Sequence, residues 1–204
     1  MNYWIIPKNL LIHHSTFFTR ALDGSFLEAE SRTIQFQDDN PKDFEHFVHW
    51  LYIGKMHFFN LCKPYLFINN QATQNMITIL VKAWTLGDKL ECLVFSDCVM
   101  TCLINFHNTI RIGIPTIHLA YNTSAPNSKL RKWIVDQFLY DASDGAYEPL
   151  DVETTAEELR DCGDWGFDIS QMLMRTSTRG ELPWNPHEQG ECYMETLGFE
   201  KTLG

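Results

Sequence analysis

The chain has 204 residues, of which 45% are hydrophobic, 13% aromatic and 21% charged, enough apolar material for one domain with an extension or for two small domains. Its formal net charge of −10 is unevenly held: residues 1–140 carry 12 Lys and Arg against 11 Asp and Glu, whereas residues 141–204 carry 4 against 15. An acidic last third repels a polyanion and no apolar run reaches the length of a membrane span, so neither nucleic acid nor a membrane is expected as a partner.

Tyr3–Ile6 is short, aromatic and β-branched, which predicts a strand stopped by Pro7. Asn9–His14 predicts a helix. Ser15 suits the N-cap of the next one, which turns Phe17, Phe18, Ala21 and Leu22 toward a core and ends at Asp23-Gly24. Thr33–Phe36 alternates and predicts a second short strand. The clearest helix is Pro41–Ile53. Asn40 caps it, Pro41 suits its first position, Gly54 suits its stop, and Phe44, Phe47, Val48 and Leu51 recur at i, i+3, i+4 and i+7.

Phe58–Asn70 has no clear period. Gln71–Leu86 predicts a helix with Ile77, Leu80, Val81 and Trp84 on one face, broken at Gly87. Glu91–Phe106 predicts another, with Phe95, Cys98, Val99, Cys102 and Phe106 along one side. Pro115–Tyr121 and Ser128–Tyr140 follow, the latter with Leu130, Ile134 and Phe138 recurring every four residues. Beyond Asp141 the pattern weakens. Glu153–Asp161 and Phe167–Arg175 predict short helices, and Leu182-Pro183-Trp184-Asn185-Pro186 reads as a turn-rich loop. The fold class expected is α+β, mostly α, with a minimal sheet.

Several stretches in order carry a resemblance: Tyr3-Trp4-Ile5-Ile6-Pro7-Lys8-Asn9-Leu10-Leu11, Ser15-Thr16-Phe17-Phe18, Gly24-Ser25-Phe26-Leu27-Glu28-Ala29-Glu30, Thr33-Ile34-Gln35-Phe36, and Trp50-Leu51-Tyr52-Ile53-Gly54-Lys55 closing the Pro41–Ile53 helix. Together with Leu86-Gly87-Asp88-Lys89-Leu90, they resemble a BTB/POZ domain over roughly Met1 to Phe106. The resemblance implies a small sheet capped by helical hairpins in a domain over 1–108, followed by a helical, acidic extension over 109–204. That family normally opens with a hairpin whose first strand would precede Tyr3. It therefore implies that the strand is missing from an N-terminally truncated chain, or is borrowed from a partner.

The later chain looks like the extension of filamentous-fungal members, carried by Pro115-Thr116-Ile117, Tyr121-Asn122-Thr123-Ser124 and Ser128-Lys129-Leu130-Arg131-Lys132-Trp133-Ile134-Val135-Asp136. Those relatives often end in Cys-x-Tyr-His-x-His. This chain reads Cys192-Tyr193-Met194-Glu195-Thr196 at that place, so no metal role is expected there.

Function is expected to be protein binding. Phe26 and Glu28 match the pattern with which BTB members recruit cullin-3 for ubiquitination: an apolar anchor enters a partner groove and a carboxylate fixes its register. The ordinary reading is that Phe26 caps the local core and Glu28 is solvated. The alternative function is self-association or scaffolding as a homo- or hetero-oligomer, with no ubiquitin chemistry. His46 and His49 lie three apart on one helix with His57 following, but no thiol or acidic ligand is fixed beside them. They read as structural, as do His13 and His14.

The six cysteines are Cys62, Cys92, Cys98, Cys102, Cys162 and Cys192. None forms a CxxC pair, and Cys98 and Cys102 fall on an apolar stripe as core residues. No signal peptide is read at the N-terminus, so an intracellular place in cytoplasm or nucleus, with reduced thiols, is expected. No catalytic constellation and no cofactor motif emerges, and no enzyme is expected.

Overall fold

The structure is a computed structural model and describes residues 3–37, 39–56, 71–107, 112–143, 157–179, 185–186, 188 and 190–196. In chain order its helices are α1 (Lys8–His14), α2 (Thr16–Asp23), α3 (Leu27–Ser31), α4 (Pro41–Ile53), α5 (Gln71–Lys89), α6 (Leu93–His107), α7 (Ile114–Thr123), α8 (Lys129–Ser143) and α9 (Trp165–Arg179). A 3-10 turn at Gly190–Tyr193 follows. The readings at His57, Phe58–Asn70, residues 153–156, Leu182–Trp184 and the Phe106 side chain lie outside the described residues.

No strand is present among the described residues, which corrects the expected α+β class with a small sheet: the regular structure there is helical. Tyr3–Ile6 and Thr33–Phe36 do show the two-residue alternation of an extended chain. Trp4, Ile6, Ile34 and Phe36 pack on the core, while Tyr3 and Ile5 are 83% and 89% exposed. Alternation sets which side of a segment is buried. A strand also needs a neighbouring backbone to bond, and neither segment makes a backbone–backbone bond to any described residue.

The helix α4 forms for the reasons its sequence states. The Asn40 side chain accepts from the Lys42 N–H at 3.0 Å, Pro41 occupies the first turn, and Gly54 stops the helix at φ 72°. Its stripe buries Phe44, Phe47, Trp50 and Leu51. Phe47 is fully buried at the centre of an aromatic cluster, with ring centroids 5.6 Å from Phe44, 6.0 Å from Trp50, 6.2 Å from Phe18 and 5.2 Å from Phe95. Rings of this size each bury a large apolar area and prefer offset-stacked or edge-to-face contacts; Phe18 and Trp50 stack on Phe47, Phe44 is tilted to it and Phe95 meets it edge on.

Ser15 joins α1 and α2 to the body. Its hydroxyl oxygen accepts from the Phe18 N–H at 3.1 Å, capping α2, and donates to the Leu90 carbonyl just beyond α5. The pairing of α5 with α6 forms the centre of the molecule: Leu80, Val81, Trp84, Phe95, Val99, Cys102 and Leu103 are all buried there. The expected break at Gly87 is corrected, since α5 runs through it to Lys89. A Cβ at Gly87 would lie 2.5 Å from the Ser96 hydroxyl and 2.9 Å from the Phe95 ring. Here glycine permits close approach of two helices, and packing outweighs its helix penalty of about 1 kcal/mol.

The buried core is continuous from Leu11 to Tyr193. On α8 the Arg131 guanidinium, almost fully buried, donates to the carbonyls of Tyr121 at 2.8 Å and Ser124 at 2.7 Å, and stacks 4.5 Å from the Tyr121 ring. It thereby ties off the C-terminal end of α7, whose last carbonyls lack helical donors. The Tyr121 hydroxyl in turn donates to Asp168 of α9 at 2.7 Å. The segment 190–196 is fastened across α6 and α8: Tyr193 is fully buried and donates to Asp136 at 2.7 Å, and Asp97 accepts from the Thr196 N–H at 2.9 Å. No helix among the described residues is long and apolar enough to cross a membrane.

Gly87→Ala is predicted to destabilise the fold by about 1–3 kcal/mol, the usual range for overpacking a close-packed core. Urea unfolding followed by far-UV circular dichroism measures it; a midpoint equal to that of the native chain would contradict the packing role of Gly87.

Candidate functional site

The residues singled out in the sequence, Phe26 and Glu28, fall together on the wall of one groove. Its volume is about 580 Å³, and it is lined by Phe17, Arg20 and Ala21 of α2, by Phe26 and Glu28, by Ile34–Gln37, and by Asp39 and Lys89. The floor is apolar and continuous with the core, because the Phe36 ring lies 6.0 Å from Phe17, 6.4 Å from Phe18 and 5.3 Å from Phe44. Anything seated there touches side chains that themselves rest on the Phe47 cluster.

Local sequence explains how Phe26 comes to project. The chain leaves α2 at Gly24, where a Cβ would lie 2.5 Å from the Arg20 carbonyl oxygen and 2.9 Å from the Phe26 ring. Phe26 then takes the N-cap position of α3, with its carbonyl accepting from the Ala29 N–H at 3.0 Å, and Arg32 at φ 52° ends the helix. Glu28 and Glu30 sit in the first turn, where negative charge favours the helix dipole. Phe26 is 62% exposed and Leu27 79%. Glu28 is half-buried, with no hydrogen-bond or ion-pair partner among the described residues.

The basic groups of the groove are both answered. Lys89 pairs with Asp39 at 2.7 Å and lies 5.9 Å above the Phe36 ring. Arg20 pairs with Glu91, which also accepts from the Thr16 hydroxyl. The Arg20 hydrogen bond first, then that of Thr16, hold the Glu91 carboxylate below the usual carboxylate range. Glu28 is therefore the one lining charge without a partner among the described residues.

The remaining sequence candidates lie elsewhere. His46 and His49 are half-buried on α4. His13 and His14 pack edge to face at 4.6 Å, and His14 packs on Trp50 at 5.2 Å. No group of three or more His, Cys, Asp or Glu able to hold a metal occurs among the described residues. Cys102 is fully buried and Cys98 half-buried on α6; burial pushes the Cys98 thiol up, and pushes that of Cys92 up to about 11. Raised thiols are poor nucleophiles at neutral pH.

Sequence reasoning missed α3, the groove, and the part Phe17, Ile34, Phe36 and Lys89 play in it. The Asp39–Lys89 pair joins residues 50 apart in the chain, and no local pattern announces it. Compared with protein-family models, with curated proteins and with solved structures, the chain matches none.

Because the folded value of Glu91 lies below its ordinary 4.5, its contribution to stability is full above that value and is lost as pH falls through the lowered one. Glu91→Gln is therefore predicted to lower the unfolding midpoint slightly at neutral pH, and the difference from the native chain should vanish as acid protonates the Glu91 carboxylate. Equal midpoints at neutral pH would contradict the role given to the Arg20–Glu91 pair.

Proposed function

We propose that the chain is a protein-interaction module related to the BTB/POZ domains, and that it recruits a cullin-3 ubiquitin ligase through Phe26 and Glu28. One observation carries the reading: Phe26 and Leu27 project at the start of α3, 62% and 79% exposed, beside the half-buried carboxylate of Glu28, which has no partner among the described residues. An exposed aromatic costs little to desolvate when it enters a partner's apolar pocket, and a few such anchors carry most of the energy of an interface. A carboxylate one turn in fixes the register by charge-assisted hydrogen bonds. The module acts inside the cell, and a client is held by residues of the C-terminal extension.

Calorimetric titration with the N-terminal domain of cullin-3 tests this. The native chain should bind with a Kd of about micromolar or tighter, and Phe26→Ala with Glu28→Ala should weaken binding by about thirtyfold or more. Equal affinity of the native and doubly substituted chains would overturn the assignment of the surface. Silence from a chain that unfolds cooperatively would overturn the adaptor role in favour of self-association, which light scattering reads as a mass that rises with concentration.

A further inference from the structure

Residues 34–37 form one wall of the groove, yet among the described residues the backbone N–H and C=O groups of Ile34, Gln35, Phe36 and Gln37 make no hydrogen bond. That is unusual for a segment lying against a core. Ile34 and Phe36 turn inward, half-buried, while Thr33, Gln35 and Gln37 turn outward. This alternation is that of a strand, and its polar main chain has no partner strand among the described residues. An edge of this kind pairs readily with a foreign extended segment, whose main chain supplies affinity and whose alternate side chains supply choice.

The groove beside that edge adds the choice. Its floor of Phe17, Ala21, Ile34 and Phe36 receives apolar side chains, and 580 Å³ has room for them. Its charges select the rest. Arg20 is neutralised by Glu91 and Lys89 by Asp39, so the field left over is the negative one of Glu28.

We infer that this groove binds an extended segment of a partner protein by adding it as a strand along residues 33–37, with apolar residues at alternate positions and a lysine or arginine set against Glu28. The inference goes beyond the recruiting role above, because it rests on the groove floor and the backbone of 34–37; it shares Glu28 with that role but needs no insertion of the Phe26 ring into a partner. Peptide binding without cullin binding would sink the adaptor reading alone; the reverse pattern would sink this one alone.

The test titrates the isotopically labelled full chain, by nuclear magnetic resonance, with an acetylated and amidated peptide of alternating valine and threonine bearing one central lysine. Two further peptides carry glutamate in its place or N-methyl groups on alternate amides. Shifts are expected at residues 17–21 and 33–37. The lysine peptide should bind about tenfold more tightly than the glutamate peptide, and N-methylation should cost a similar factor. Glu28→Gln, a surface change that leaves unfolding cooperative, should erase the discrimination between lysine and glutamate while retaining the loss on N-methylation. Equal affinities for the two charged peptides, indifference to N-methylation, or no shifts at 33–37 up to about millimolar peptide would each overturn the proposal.

Discussion

The burial of Phe47 among Phe18, Phe44, Trp50 and Phe95 is the contact on which the front of the molecule depends. These rings come from α2, α4 and α6, so one cluster fixes the mutual placement of three helices that share little sequence proximity. Fully burying a side chain of this kind stabilises by about 1.5–3 kcal/mol each, and the rings are not replaceable by smaller groups without a cavity. Phe44 extends the cluster to Trp4 at 5.0 Å and to Phe36 at 5.3 Å, so among the described residues the two irregular segments are held by side chains instead of by backbone bonds. The groove floor inherits its rigidity from this arrangement.

The back of the molecule is organised differently. There α8 is buried on nearly every side, polar residues included: Arg131, Asp136, Gln137 and Asp141 are all enclosed. Buried polar groups are costly unless paired; Arg131 is answered by the carbonyls of Tyr121 and Ser124, Asp136 by the Tyr193 hydroxyl, and the Gln137 amide N–H by Asp141 at 3.1 Å, while the Gln137 side-chain oxygen has no partner among the described residues. Burial, with the Asp168 carboxylate beside it, pushes the Tyr121 hydroxyl up, and burial beside Asp136 does the same to Tyr193, so both stay protonated as donors. The enclosed polar bonds give the segment 190–196 a defined seat, which apolar packing alone specifies poorly.

Much of the helical body was legible in the sequence, and the reasons are local. Asn40, Pro41, the Phe44–Leu51 stripe and Gly54 state a start, a face and a stop within one window, and α4 occupies those bounds. Ser15 likewise announced the cap it makes. What failed was relational. Tyr3–Ile6, from its aromatic and β-branched residues, and Thr33–Phe36, from its alternation, predict strands that are absent among the described residues, because no single segment encodes whether a neighbouring backbone is present. Gly87 was read from propensity, whereas its place is decided by Ser96 and Phe95 on another helix. At five residues, α3 is too short to show a period. Phe26 and Glu28 were found by pattern, but the groove they flank depends on Phe17, Phe36 and Lys89, which only the fold brings together.

The helical body holds residues 34–37 against its core with no backbone hydrogen bond among the described residues. Hydrogen exchange of the free chain, followed at single-residue resolution, tests that most directly. Amides of Ile34, Gln35, Phe36 and Gln37 should exchange at near-unprotected rates, while those in the middle of α4, α5 and α6 should be slowed by several orders of magnitude. Protection at 34–37 equal to that of the helices would mean that this segment is already paired in the free chain, and would contradict the account.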